Sequence, residues 1–397
     1  MVLRSKALKL SLAEMNGLLA TLLLGVICSL IFIDSMRGAL LATTIFFTSI
    51  VGALAYLNWR NNSGLRYGLA ICLIAIVYAV VAALFNDVYL AGFFTKFILL
   101  IVSIVVLSSI GVSPRAGARM GVIALIFLGL LFFQSFNYYL NYFEVSSVAS
   151  LNPNSLAIAV LMAFVIIDRC PIISNRLHRL LLVAVSGISI FQYGSRSVLL
   201  GLAVYLLVSF IVRQGHYRTR KIIFLIAVAF ALIFPFIYVN NSNNHEYNPK
   251  LDETAGLLDK EAYSGRQDVW EGSIEHWGEH GALVGSANTE FVNSLPARSL
   301  HNMYIDTVYH LGVPLLLILF VVMYTLMVRK KDFSVKSYAV IITILVYGNF
   351  ESTLVSGTYV GMLMMMAFIN FDAASGRLST GLGRRRNDSH RKMENKL

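Results

Sequence analysis

The sequence predicts an all-α, polytopic membrane protein of about twelve transmembrane helices, with one large outer loop that contains short helices. Three observations predict it. Of 397 residues, 57% are hydrophobic and only 13% are charged, with a mean hydropathy of +0.71, whereas a soluble domain carries about 25% charged residues. Long apolar runs recur along the whole chain, more than one soluble core could hide. The basic residues gather in alternate loops, as expected of a chain that threads a bilayer back and forth.

The apolar runs place spans near 17–33, 38–58, 68–85, 92–111, 120–135, 153–168, 179–193, 197–212, 222–239, 304–328, 335–349 and 354–370. Each must be helical, because lipid offers no partner for backbone N–H and C=O groups. The basic Met1–Lys9 stretch leads into the first run with no cleavage site after it, so this run is expected to stay as an anchor.

Orientation follows from the loops. With the N-terminus inside, the inner segments hold Arg4, Lys6 and Lys9; Arg60 and Arg66; Arg115 and Arg119; Arg169, Arg176 and Arg179; Arg213, Arg218, Arg220 and Lys221; Arg329, Lys330, Lys331 and Lys336; and seven residues from Arg377 onwards. These are 25 of the 32 Lys and Arg, so both termini are expected on the cytoplasmic side of an inner-membrane protein. The chain divides into helices one to nine (1–239), the outer loop (240–302), helices ten to twelve (303–370) and a basic tail (371–397) that reads as disordered. The net charge of +11 does not point to nucleic acid, because the positive residues sit in the short loops between spans. Cys28, Cys72 and Cys170 lie in or at the edge of spans, without disulfide or metal spacing, and read as apolar filler.

Against this charge bias, Arg37, Lys96, Arg196, Lys250, Lys260, Arg266 and Arg298 fall outside or at the outer ends of spans. Arg196 sits in Gln192-Tyr-Gly-Ser-Arg-Ser197, a tight turn between two apolar runs. An ionisable residue at membrane depth suggests an anion ligand; snorkelling is the bland alternative. Ser264-Gly-Arg-Gln267 reads as a helix start, with the helix running to about His280 and Arg266, Trp270 and Trp277 on one side. Arg266 alone is explained by solvation or by stacking on Trp270. Arg298 precedes span ten, and snorkelling accounts for Lys96 near the outer end of span four.

His301 stands where the loop returns to the membrane, followed by Asn302 and, one turn on, Asp306. An imidazole can take a proton from a hydroxyl near neutral pH, and Asn302 and Asp306 share a helix face that suits a substrate. His276, His280 and His310 compete for the base role. His276 and His280 have metal-compatible spacing, but no third ligand lies nearby, so no metal site is expected.

The order of these features resembles a family. A Ser-Arg-Ser turn is followed by a long outer loop with Gly-Arg-Gln-Asp-Val-Trp, then by His-Asn-Met-Tyr-Ile-Asp leading into Gly312 and an apolar span; Leu151-Asn-Pro-Asn-Ser155 precedes span six. Over roughly residues 150 to 330 this resembles the O-antigen polymerase and O-antigen ligase superfamily of bacterial envelope glycosyltransferases. The resemblance implies transfer of a glycan from an undecaprenyl-diphosphate donor on the periplasmic face, without a cofactor or a divalent metal. It implies that Arg196 and Arg266 bind the donor diphosphate and that His301 deprotonates the acceptor hydroxyl. By their own placement at the outer side, Arg298, Asn302 and Lys96 are candidates for further substrate contacts. Guanidinium groups can clamp phosphate oxygens and stabilise the charge of a leaving diphosphate.

The acceptor is a second lipid-linked glycan in a polymerase and the lipid A core in a ligase; the polymerase is the first reading. Membrane lipids and a chain-length regulator are the other expected partners. A transporter or flippase is the alternative of another class. Against it, the chain lacks two similar halves joined by a central inner loop.

Overall fold

The computed structural model describes residues 11–32, 37–85, 91–140, 153–173, 175–214, 217–243, 266–280, 283, 285, 300–325, 334–354 and 358–371. Within them the chain is helical, and the extended structure is a lone bridge between Gly111 and Asn370. The helices are α1 (Leu12–Phe32), α2 (Arg37–Asn58), α3 (Ser63–Phe85), α4 (Ala91–Ser109), α5 (Pro114–Leu140), α6 (Pro153–Arg169), α7 (Arg176–Gln192), α8 (Arg196–Gln214), α9 (Tyr217–Asn243), α10 (Arg266–His280), α11 (Met303–Leu311), α12 (Val313–Met323), α13 (Val335–Tyr347) and α14 (Tyr359–Met366).

Among the described residues, four helical stretches are long and apolar enough to cross a membrane: Leu12–Phe32, Leu40–Asn58, Pro114–Leu140 and Arg218–Asn241. Shorter apolar helices cover Ser63–Tyr78, Phe94–Ser109, Arg196–Val212, Val313–Met323 and Val335–Tyr347. The apolar helices make this a membrane protein; the expected count of twelve spans is larger than the number long enough on their own. Span ten, expected as one run over 304–328, is two helices broken at Gly312. That residue adopts φ 83° and ψ 163°, a conformation essentially confined to glycine. Pro314 then restarts the helix at its first turn, where a missing N–H costs nothing.

The apolar surface faces outward where lipid would meet it. Leu41, Ile45, Leu73, Ile126, Phe133 and Phe210 are all well exposed, a surface that would drive aggregation in water. α6 is the opposite case: every residue from Leu156 to Arg169 is buried, as expected of a helix that is apolar all round and sits inside a bundle. α5, α7, α8 and α14 pack around it, and α13 lies along α8.

α6 and α8 run in the same direction, and α13 runs against both. In mid-bundle, a Cβ added to Gly201 would stand 3.1 Å from Leu161 Cδ2 and 3.6 Å from Thr343 Cγ2. At one end, the buried Asp168 carboxylate accepts from Tyr205 Oη at 2.9 Å and pairs with Arg179 Nε at 2.9 Å and Lys336 Nζ at 3.3 Å. Beside it, the buried Arg169 guanidinium donates to the Ala367 and Ile369 carbonyls and to Ser337 Oγ, and lies 5.0 Å from the Phe371 ring centre. The opposite end therefore gathers the starts of α6 and α8 and the turn that follows α13.

α10 is seated there through one anchor. Trp270 is fully buried, donates from Nε1 to the Leu300 carbonyl at 2.8 Å, and stands 4.8 Å from the ring of Tyr238 and 6.4 Å from that of Phe234. Ile305 and Tyr309 of α11 complete this small core. Trp270→Ala is expected to cost about 3–5 kcal/mol of docking energy, as for other buried aromatic truncations. Limited proteolysis in membranes should then cut within 266–280 much faster than in the parent protein, with the rest of the bundle still resistant.

Candidate active site

Four short pieces of chain meet at this end: the start of α6, the start of α10, the turn before α11 and the turn after α13. Their common point is the carboxylate of Glu351, only 7% exposed. Oε1 accepts from Arg266 Nη2 and from Asn154 Nδ2, both at 3.1 Å. Oε2 lies 3.4 Å from His301 Nδ1. Arg266 Nη1 also donates to the Phe350 carbonyl at 2.7 Å. The Arg266 and His301 side chains keep 20% and 27% of their surface, so both can still be reached from outside the protein.

The backbone that presents His301 is strained. Its φ of 48° is the one positive value among the described non-glycine residues. For a side-chain-bearing residue this conformation costs on the order of 1–3 kcal/mol, and such outliers cluster at functional sites. Asn302 locks the conformation on the far side. Its Oδ1 caps α11 by accepting from Tyr304 N at 2.9 Å and Ile305 N at 3.0 Å, and its Nδ2 donates to the Asn349 carbonyl at 3.0 Å. Met303 N donates to the Gly348 carbonyl at 2.7 Å. The Asn302 amide is thus fully buried, with its described partners all on backbone. Asn349, also fully buried, has neither side-chain amide atom hydrogen-bonded among the described residues.

Arg196 is the first residue of α8, half-buried, at the same end of the bundle. The turn before it is tight because Gly194 takes φ 66°. Tyr193 Oη donates to the Leu131 carbonyl at 2.9 Å, and Ser135 Oγ donates to Gln192 Oε1 at 2.5 Å. These bonds fix the turn to α5, and with it the place where Arg196 emerges.

The other expected residues divide as follows. Lys96 is exposed on α4. Arg298 lies outside the described residues, as do the side chains of His276, Trp277 and His280. His310 faces Asp306 at 3.3 Å, and both are buried within α11. Among the described residues no three His, Cys, Asp or Glu side chains gather as metal ligands.

Sequence reasoning missed Glu351. A signal was present: Asn349-Phe-Glu-Ser-Thr353 lies between two apolar runs on the side the charge bias makes external, and an acidic residue at that depth is itself a functional hint. Asn154 was read only as part of a motif, with no partner assigned.

Residues 181–320 match the family described as O-antigen ligase. No curated protein matches the chain. The matched segment holds Arg196, Arg266 and His301, whereas Asn154 and Glu351 lie beyond its two ends. Over residues 181–320 the chain is therefore similar to the O-antigen ligase family.

Proposed function

We propose that the protein transfers a glycan from an undecaprenyl-diphosphate donor to a sugar hydroxyl on the periplasmic face of the bacterial inner membrane. The observation that carries this reading is the meeting of Arg266, His301 and Asn154 at one carboxylate, at the end of the bundle where Arg196 opens α8. Arg196 and Arg266 hold the diphosphate and offset the charge that grows on it as it leaves. His301 takes the proton of the attacking hydroxyl. Asn302 positions His301 through the cap of α11. Displacement is direct and inverts the anomeric carbon, with no covalent glycosyl-enzyme and no metal. Lys96 and Arg298 are left as outer contacts for the sugars or the lipid.

Polymerisation, with a second lipid-linked glycan as acceptor, is the first reading; the ligase description of the matching family favours the lipid A core as the second. A clean deletion followed by gel analysis of surface polysaccharide separates them. Loss of a polymerase leaves lipid A core with at most one repeat unit. Loss of a ligase leaves bare core, with long glycans stranded on undecaprenyl diphosphate. An unchanged polysaccharide ladder refutes both.

The same reading fixes the topology: the 240–302 loop is periplasmic and the tail cytoplasmic, because 25 of 32 basic residues then lie inside. A cysteine introduced as Asp388→Cys should resist an impermeant thiol reagent in intact cells and react after lysis. Labelling in intact cells reverses the orientation.

A further inference from the structure

Glu351 has two oxygens with different partners. Oε1 serves Arg266 and Asn154, and Oε2 faces His301. A carboxylate and a phosphate present a guanidinium with the same kind of acceptor pair, so the two cannot both hold the same face of Arg266. Resting on the transfer reaction proposed above, we propose that Glu351 and the donor diphosphate compete for Arg266, and that Glu351, once displaced from the guanidinium, acts as the positioning residue of His301.

The consequence is a base that strengthens when the donor is in place. While Arg266 shares the carboxylate, part of the charge facing His301 is offset. Phosphate oxygens that take over the guanidinium leave that charge directed at Nδ1–H. This fixes the tautomer with Nε2 bare and stabilises the imidazolium once Nε2 has taken the hydroxyl proton. In that step the hydroxyl oxygen bonds to the anomeric carbon, the carbon–phosphate-oxygen bond breaks, and its electron pair leaves with undecaprenyl diphosphate. The 3.4 Å separation of His301 and Glu351 is long for such a pair, as expected of a contact that tightens only with substrate present.

The charged and titratable groups around this pair come from every neighbouring element. Arg266 enters from α10, and Arg196 stands at the start of α8. The Tyr347 phenol of α13 lies within electrostatic reach of both Glu351 and Arg266. Asp306 and His310 of α11 are paired with each other. Only Arg266 and His301 share the Glu351 carboxylate as ion-pair partners among the described residues.

The test uses the full chain in vesicles, with an undecaprenyl-diphosphate-linked glycan as donor, and reads kcat and donor KM against pH. Glu351→Gln should lower kcat roughly 10- to 100-fold while donor KM holds or falls, because a competitor for Arg266 has gone. The acid limb of kcat should move to lower pH, since a carboxylate no longer favours the charged imidazole. In a His301→Ala background, Glu351→Gln should change kcat no further, because the two act as a unit. A raised donor KM, or a wild-type kcat and acid limb, overturns the inference. If Glu351→Gln does not reach the membrane, Glu351→Asp, which draws the charge back by one methylene, is read by the same kcat and KM criteria. A wild-type protein that transfers no glycan overturns the proposed function itself; an active wild type matched by Glu351→Gln overturns only this coupling.

Discussion

Arg266→Ala is expected to remove glycan transfer almost entirely, by at least about 10²–10³-fold, the loss typical of deleting one group that stabilises developing negative charge. Two effects combine in this variant. The donor diphosphate loses a bidentate clamp, and Glu351 loses a partner 3.1 Å away and is left with its buried charge uncompensated. The second effect threatens the fold, so the informative comparison adds Arg266→Lys and the double variant Arg266→Ala with Glu351→Gln. Lysine keeps the charge but cannot reproduce the fork that reaches both the Phe350 carbonyl and Glu351, and it should rescue transfer poorly. The double variant should accumulate in the membrane at near-parental level and still fail to transfer. Immunoblotting of membranes beside an activity assay reads both quantities. Arg196→Ala should weaken donor binding in the same way, without the local unpairing of Glu351. Near-normal transfer by both alanine variants would withdraw the diphosphate role.

His301→Ala should lower transfer by about 10²–10⁴-fold, the usual contribution of a general base, with donor affinity kept. A sugar hydroxyl is a weak nucleophile at neutral pH, and attack is easier when its proton leaves as the new bond forms. Two controls separate chemistry from backbone. Asn tolerates a left-handed conformation better than most residues, so His301→Asn should preserve the φ 48° turn and the cap of α11 yet remain inactive. His301→Gly should relieve the strain, raise thermal stability slightly and also be inactive. A binding assay with labelled donor lipid then distinguishes His301 variants, which retain binding, from arginine variants, which lose it. If His301→Asn transfers at the parental rate, the base must be sought elsewhere, with His276 and His280 next.

Much of this was legible in the chain itself. Composition and the spacing of apolar runs determine helices in a bilayer, because lipid leaves a backbone no other way to satisfy its polar groups. The asymmetry of Lys and Arg sets an expected orientation, and that made Arg196 and Arg266 conspicuous as cations on the wrong side. The helix from Arg266 to about His280 followed from local start signals and has those bounds in the structure. Local pattern also has limits. It read residues 304–328 as one apolar span, because hydropathy is blind to the φ of Gly312. It put Asn302 and Asp306 on one helix face but did not show that both are buried, Asn302 as the cap of α11.

Tertiary structure decided which residues share a site. Asn154, Arg266, His301 and Glu351 are separated by up to 197 positions in sequence. What brings them together is the parallel run of α6 and α8, the opposed run of α13 and the seating of Trp270 against α9 and α11. Glu351 is the clearest case. In the sequence it is one acidic residue between apolar runs. In the fold it is the acceptor that an arginine, an asparagine and a histidine from three other segments all reach. Pairing across such distances depends on packing, which no local periodicity encodes, and a buried carboxylate is tolerated only where those partners arrive together.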